Sequence, residues 1–230
     1  MTDHTIVYKK QTEMYDQMVS KQPSLMNVIN DITSIEQLDV IDMGAGSGRI
    51  TTILAPYVKS ILALDSSTEM LQLIEKQLDC DDNINYKTQV ADHRNIPAEN
   101  ESADLVVAGW SICYLGSSNV ENNVHNIEVV MKEIMRVLRE KGFVIIFETM
   151  GTGFETPNPP EFLKQYYSLL EEKYGFSHKW IRLDYSFDNI EQAEELTRFF
   201  FGNDLADKVV TGNLVTLPEC AGVWWLEKET

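Results

Sequence analysis

Cysteine is scarce in this chain, and basic residues are heavily outnumbered. The three cysteines, Cys80, Cys113 and Cys220, are odd in number and lack metal-ligand spacing, which argues against a disulfide framework or a cysteine metal site. A reducing cytoplasm is the expected setting. No apolar run is long enough to cross a bilayer, so no membrane span is expected. Met1-Thr2-Asp3-His4 offers neither the basic start nor the apolar core of a signal peptide. Lys and Arg total 19 against 36 Asp and Glu, a formal net charge of −17, and no lysine-arginine cluster occurs. Nucleic-acid binding draws on cations that neutralise phosphates, so the balance speaks against such a partner. Repeats and low-complexity tracts are missing as well. With 230 residues, the chain suffices for one domain with its own core.

What is present centres on Val40-Ile41-Asp42-Met43-Gly44-Ala45-Gly46-Ser47-Gly48-Arg49-Ile50-Thr51. It reads as a buried strand, a glycine-crowded turn and the start of a helix. Downstream, Ile61-Leu62-Ala63-Leu64-Asp65 is a second apolar strand ending in an acid. Glycines at 44, 46 and 48 allow a sharp turn and close approach of a ligand. At its strand tip, Asp65 is placed to accept hydrogen bonds from ribose hydroxyls. A dinucleotide fingerprint G-x-G-x-x-G/A fails, because its last small position falls on Arg49 or Thr51. The phosphate loop G-x-x-x-x-G-K-[ST] fails too, for want of any Gly-Lys pair. Asp42 would repel a pyrophosphate but suit the ammonium of a methionine moiety. A sulfonium cofactor therefore fits better than a nicotinamide dinucleotide.

With those pieces in order, the chain resembles the class I S-adenosylmethionine-dependent methyltransferases, more narrowly the type 11 domain group of small-molecule enzymes. The resemblance runs from about Leu38 to Glu148. It adds Ala91-Asp92-His93 after the third strand, a fourth strand Ala103–Ala108 followed by Gly109-Trp110-Ser111, a helix Val129–Leu138 and a fifth strand Phe143–Phe147. It implies an α/β, Rossmann-like doubly wound sheet of seven strands, mostly parallel with an antiparallel last strand, and helices on both faces. It also implies S-adenosylmethionine as cofactor, with S-adenosylhomocysteine as product. In the family the loop Asp42–Gly48 wraps the methionine end, an acid at Asp65 holds the ribose, and an acid at Asp92 reaches the adenine amino group. The expected cofactor set is Tyr15, Asp42, Gly44, Ala45, Gly46, Gly48, Asp65, Ser66, Met70, Asp92, His93 and Trp110, with no metal.

Around this core, helical spacing over Val7–Ile35, broken at Pro23, predicts two short helices in which Tyr8 or Tyr15 would close over the cofactor. A helix is expected over Gly48–Val58 with Tyr57 on its buried face, its amino-terminal amides favouring the cofactor's carboxylate. Ser66 with Glu69 reads as a capping box for the next helix, which presents Met70, Leu71, Ile74 and Leu78. Asp79, Asp81, Asp82 and Asn83 form a solvated turn before strand Asn85–Val90. After an irregular Gly- and Pro-rich loop come a helix Glu161–Tyr174, a sixth strand Trp180–Phe187, a helix Ile190–Phe201, a polar connector and a last strand Gly222–Glu227. We divide the single domain into an N-terminal helical lid (1–36), a cofactor core (37–148) and a part bordering the acceptor pocket (149–230).

Methyl transfer needs above all a nucleophile held near the methyl carbon, which supplies roughly 7–11 kcal/mol in favourable cases. A base matters only when the acceptor must lose a proton. Candidates are His125 and Tyr114 as catalytic residues, with Glu148 and Glu155 nearby; His4 and His178 look incidental. Trp110 is placed to stack near the methionine portion, with cation–π attraction to the sulfonium. Asn158-Pro159-Pro160 resembles a nitrogen-gripping motif but follows strand five rather than four, and is rejected as such. The expected reaction is in-line transfer to an oxygen or nitrogen of a small molecule by a monomer or homodimer. The rivals are a methyltransferase of tRNA or a protein side chain, and a non-catalytic cofactor-binding module.

Overall fold

The computed structural model describes residues 11–79 and 83–229. The expectations placed on His4, Tyr8, Cys80, Asp81 and Asp82 lie outside them. A central sheet has seven strands: β1 (Asp39–Met43), β2 (Ser60–Asp65), β3 (Tyr86–Val90), β4 (Ala103–Gly109), β5 (Leu138–Thr152), β6 (Ser177–Arg182) and β9 (Glu219–Glu227). They lie in the order β3-β2-β1-β4-β5-β9-β6. Neighbours from β3 to β5 run parallel, while β9 is antiparallel to both β5 and β6. The sequence order reverses between β1 and β4, and ligands of open α/β sheets bind at the carboxyl ends beside such a reversal.

Register decides what meets there. Met43 of β1 pairs with Leu64 of β2 on one side and Ala108 of β4 on the other. The chain therefore leaves all three strands at one level, bringing Gly44, Asp65 and Gly109 to a common rim. Val40, Ile41, Leu105, Val106 and Val107 are buried, as apolar strands covered on both faces must be.

Helices cover the sheet. α4 (Thr68–Leu78) buries Met70, Leu71, Ile74 and Leu78, the face expected from its spacing. Its cap is Ser67, whose side chain accepts from the Met70 amide and donates to Glu69, so the expected Ser66 cap is displaced by one residue. α6 (Asn123–Val137) buries Ile127, Val130, Met131, Ile134 and Val137 on the opposite face. The expected helix over Gly48–Val58 shrinks to α3 (Thr51–Leu54). Three β-branched residues, Thr51-Thr52-Ile53, disfavour it, and Pro56 stops it. Tyr57 is consequently 58% exposed rather than buried.

Two short N-terminal helices, α1 (Thr12–Val19) and α2 (Met26–Asn30), flank the expected break at Pro23, and α5 (Cys113–Gly116) follows β4. The segment after β5 turns through a 3-10 helix (Glu161–Leu163), α7 (Lys164–Ser168) and a π-helical turn (Leu169–Lys173), covering the expected helix. The expected sixth strand instead splits into β6 and a separate β7 (Tyr185–Ser186), which pairs with β8 (Thr216–Leu217) in a small second sheet. Between β7 and β8 stand α8 (Ile190–Phe201), matching its expected bounds, and α9 (Asn203–Gly212), where a polar connector was expected. α9 buries only Ala206 and Val209, a stripe too thin to show as helical periodicity. α8, α9 and the two short strands pack with Met14 and Met18 of α1 into their own apolar cluster above the rim. Among the described residues, no helix is long and apolar enough to cross a membrane.

Candidate active site

At the carboxyl ends of β1, β2 and β4 lie two adjoining cavities that share Tyr15, Gly44, Gly109, Trp110 and Tyr114 as walls. The first, about 330 Å³, is lined besides by Gly46, Asp65, Ser66, Met70, Asp92 and His93. The second, about 530 Å³, reaches Asp42, Ala45, Ser47, Arg49 and Glu219 beneath α1 and α8. Both volumes fall in the roughly 300–1,000 Å³ range of small-molecule pockets.

The glycine turn is held largely by itself and by β2. Gly44 and Ala45 amides both donate to the Leu64 carbonyl, at 2.7 and 2.9 Å, and the Gly48 amide donates to Ala45 at 2.9 Å. The Gly46 amide donates to Asp65 Oδ2 at 2.9 Å, while the Ser67 amide donates to Oδ1 at 2.8 Å. These donors serve the fold. Gly44 is required by a protein neighbour: a Cβ there would lie 2.3 Å from Ser111 Cβ, and φ is +73°. Gly48 lines neither cavity; its Cβ would strike Ile74 at 2.9 Å, so it serves helix packing.

The acids differ sharply. Asp42 is 1% exposed, and Thr51 Oγ1 donates to its Oδ2 at 2.6 Å. Burial pushes its pKa up to about 7, against the Thr51 hydrogen bonds. Asp92 instead takes a two-pronged ion pair from Arg94 (2.7 and 2.9 Å), which holds its pKa at about 2. It faces the first cavity as a permanently charged carboxylate. Beside it, half-buried His93 has its pKa lowered, chiefly by desolvation and against the pull of Asp65 and Asp92. Burial also lifts the Tyr15 hydroxyl to about 12, keeping it a donor.

Trp110 adopts φ 50° and stacks on Phe147 with ring centroids 6.1 Å apart. Its ring already has a cation, the Arg49 guanidinium at 4.5 Å, where a sulfonium was expected. Tyr114 stands on the wall between the cavities. His125 does not: its side chain is 73% exposed on α6, 3.7 Å from Glu128, and outside both cavities. Glu155 lines neither cavity. Glu148 is fully buried behind the second cavity, where Oε1 accepts from the Cys113 amide (3.0 Å) and the Tyr166 hydroxyl (3.3 Å). His178 stacks on Trp224 at 4.4 Å, away from the site.

Among the polar lining residues that escaped the sequence reading are Gln22, Ser47, Arg49 and Glu219. Arg49 follows the last loop glycine, a position that only tested the dinucleotide pattern. Gln22 and Glu219 sit far from the motif in sequence, and no local signal marks them.

The residues fit an adenosyl cofactor with a methionine tail. The first cavity offers the Asp65 and Asp92 carboxylates, the imidazole of His93 and the apolar side of Met70. On the wall of the second cavity, Ser47 Oγ is buried without a hydrogen-bond partner among the described residues.

Comparisons with known proteins agree. Residues 41–146 match a family model described as a methyltransferase domain. An uncharacterized methyltransferase of Schizosaccharomyces pombe is 34% identical over 52% of this chain and 43% of its own length. Phosphoethanolamine N-methyltransferase 1 of Caenorhabditis elegans is 30% identical over 54% and 24%, and a demethylmenaquinone methyltransferase of Thermotoga maritima 28% identical over 62% and 55%. The chain thus spans between 24% and 55% of the length of these curated relatives. In structure, the YcgJ protein of Bacillus subtilis superposes with a TM-score of 0.58 at 16% identity, covering 90% of this chain and 98% of that one. A SAM-dependent methyltransferase from Aquifex aeolicus gives 0.57 at 13%, covering 93% and 96%. Motif, strand order, cavity and likeness converge on one reading: residues 41–146 are similar to the methyltransferase domain family, within a fold shared with solved structures over nine-tenths of the chain.

Proposed function

We propose that this protein transfers a methyl group from S-adenosylmethionine to an oxygen or nitrogen of a small-molecule acceptor. The observation that carries the reading is the second cavity, which adjoins the first across Trp110 and Tyr114 and is lined also by Tyr15, Phe200 and Phe201. Its largely apolar lining and volume of about 530 Å³ suit a small body rather than a folded macromolecule. The net charge of −17 supports the same choice against nucleic acid. Relatives named for phosphoethanolamine and demethylmenaquinone are in keeping with a small acceptor.

The bound cofactor supplies an activated methyl group. The protein's part is to hold the acceptor against it and keep water away, and orientation of this kind supplies most of the rate. Asp65, Asp92, His93 and Met70 hold the nucleoside end, while Asp42, Ser47 and Tyr15 border the methionine end. Of the two catalytic candidates, Tyr114 is carried forward to orient the acceptor or take its proton, because it stands on the shared wall. Within the N-terminal lid, α1 then borders the acceptor cavity, with residues 37–148 as the cofactor core and the part from 149 onward as the acceptor border.

Incubation with methyl-labelled cofactor and fractionated cell extract tests the proposal. Label in the small-molecule fraction is expected. Label in RNA or protein, or none in any fraction, would overturn it.

A further inference from the structure

The second cavity contains an unsatisfied cation. Arg49 Nη1 donates to Gln22 Oε1 at 2.6 Å, and Gln22 is itself fixed by donating from Nε2 to the Leu183 carbonyl at 2.7 Å. The Trp110 ring, 4.5 Å from the guanidinium carbon, covers another side of the group. Yet Nη2 is buried and has no hydrogen-bond partner among the described residues. Across the same cavity, Glu219 is 2% exposed; Thr149 Oγ1 donates to its Oε1 at 2.9 Å, and its Oε2 has no partner. The two groups make no ion pair with one another, and burial lifts the Glu219 carboxyl to about 7. Leaving buried charged groups half-satisfied is costly, and such groups call for a ligand that completes them.

We infer that Arg49 is a specificity-determining residue that binds a carboxylate on the methyl acceptor, in a cavity whose apolar walls take the rest of that molecule; this rests on the methyltransferase reading above. A guanidinium holds its N–H groups in a rigid plane, and the unpartnered Nη2 can donate to a carboxylate oxygen. Here Gln22 and Trp110 hold that plane in advance, so little freedom is lost on binding. Glu219 Oε2 sets the opposite pole and selects acceptors that also carry a hydroxyl or amine donor. A phosphate would want more donors than one free guanidinium nitrogen, so the carboxylate is the better match.

The test compares matched probes on protein saturated with S-adenosylhomocysteine, by calorimetry: phenylacetate, 3-phenylpropanoate, octanoate and phenylalanine, each against its primary amide. At least one acid is expected to bind about tenfold tighter than its amide. Arg49→Met should abolish that preference while S-adenosylhomocysteine affinity stays within about twofold. Gln22→Ala keeps the charge but frees the guanidinium, and should lose part of the preference, guarding against a misfolded Arg49 variant. Acids and amides binding alike across the panel would overturn the inference. So would an Arg49→Met variant that loses S-adenosylhomocysteine affinity as steeply as acid affinity, since the cation would then serve the cofactor's own carboxylate. Wild-type protein that prefers the acids but fails to bind S-adenosylhomocysteine would instead remove the methyltransferase reading and leave the anion site standing.

Discussion

Asp65 Oδ2 accepts the amide of Gly46 at 2.9 Å, tying the tip of β2 to the middle of the glycine turn after β1. One carboxylate therefore has two duties, bracing the loop and facing the nucleoside cavity. Asp65→Ala should weaken S-adenosylhomocysteine binding by about 1.5–3 kcal/mol, through lost charge-assisted hydrogen bonds and a looser turn. Asp65→Asn, which keeps one acceptor for the Gly46 amide, should lose less. Calorimetry on both variants checks this; equal affinity in wild type and Asp65→Ala would remove the residue from the site.

Gly44 is set by its neighbour Ser111. Gly44→Ala puts a Cβ 2.3 Å from Ser111 Cβ at a φ of +73°. We expect a loss of about 1–3 kcal/mol from the backbone strain alone, with the collision adding to it. Adding Ser111→Gly should recover the part due to collision but not the part due to φ. Urea denaturation of the single and double variants separates the two.

Glu148 gives the protein a stability that depends on pH. Burial raises its pKa to about 8, from an ordinary 4.5. The folded state thus holds a proton that the unfolded chain releases, so the stability linked to this group is full below about pH 4.5 and is lost as pH rises toward 8. Glu148→Gln mimics the protonated side chain. It should leave the melting temperature nearly unchanged at pH 5 and raise it at pH 8. A variant equally destabilised at both values would contradict the assignment.

Tyr114 and His125 separate cleanly as catalytic candidates. Tyr114→Ala should lower turnover by about tenfold or more with S-adenosylhomocysteine affinity preserved, because the cavity wall that orients the acceptor is lost. His125→Ala, on the outer face of α6, should retain activity within about twofold. Steady-state kinetics with an acceptor found by the labelling experiment decides; a reversed result would restore His125.

By itself the sequence determined the parts of this protein whose physics is local. Apolar strands at Val40–Met43 and Ile61–Leu64, glycines that admit positive φ, the acid at the β2 tip and the apolar stripe of α4 all show in windows of a few residues. Local patterns decide such elements because strand alternation, helical period and turn chemistry act between near neighbours. What the glycines are for was decided elsewhere: Gly44 makes room for Ser111 and Gly48 for Ile74, contacts that exist only once β4 and α4 have docked. The charge state of Asp42 and the bidentate partner of Asp92 likewise depend on burial and on side chains arriving in space. The acceptor cavity is the extreme case. Gln22, Arg49 and Glu219 come from three distant stretches, and only the antiparallel return of β9 beside β5 and the packing of α1 and α8 bring them to one cavity. No window of sequence contains that distance, so tertiary packing alone decided it.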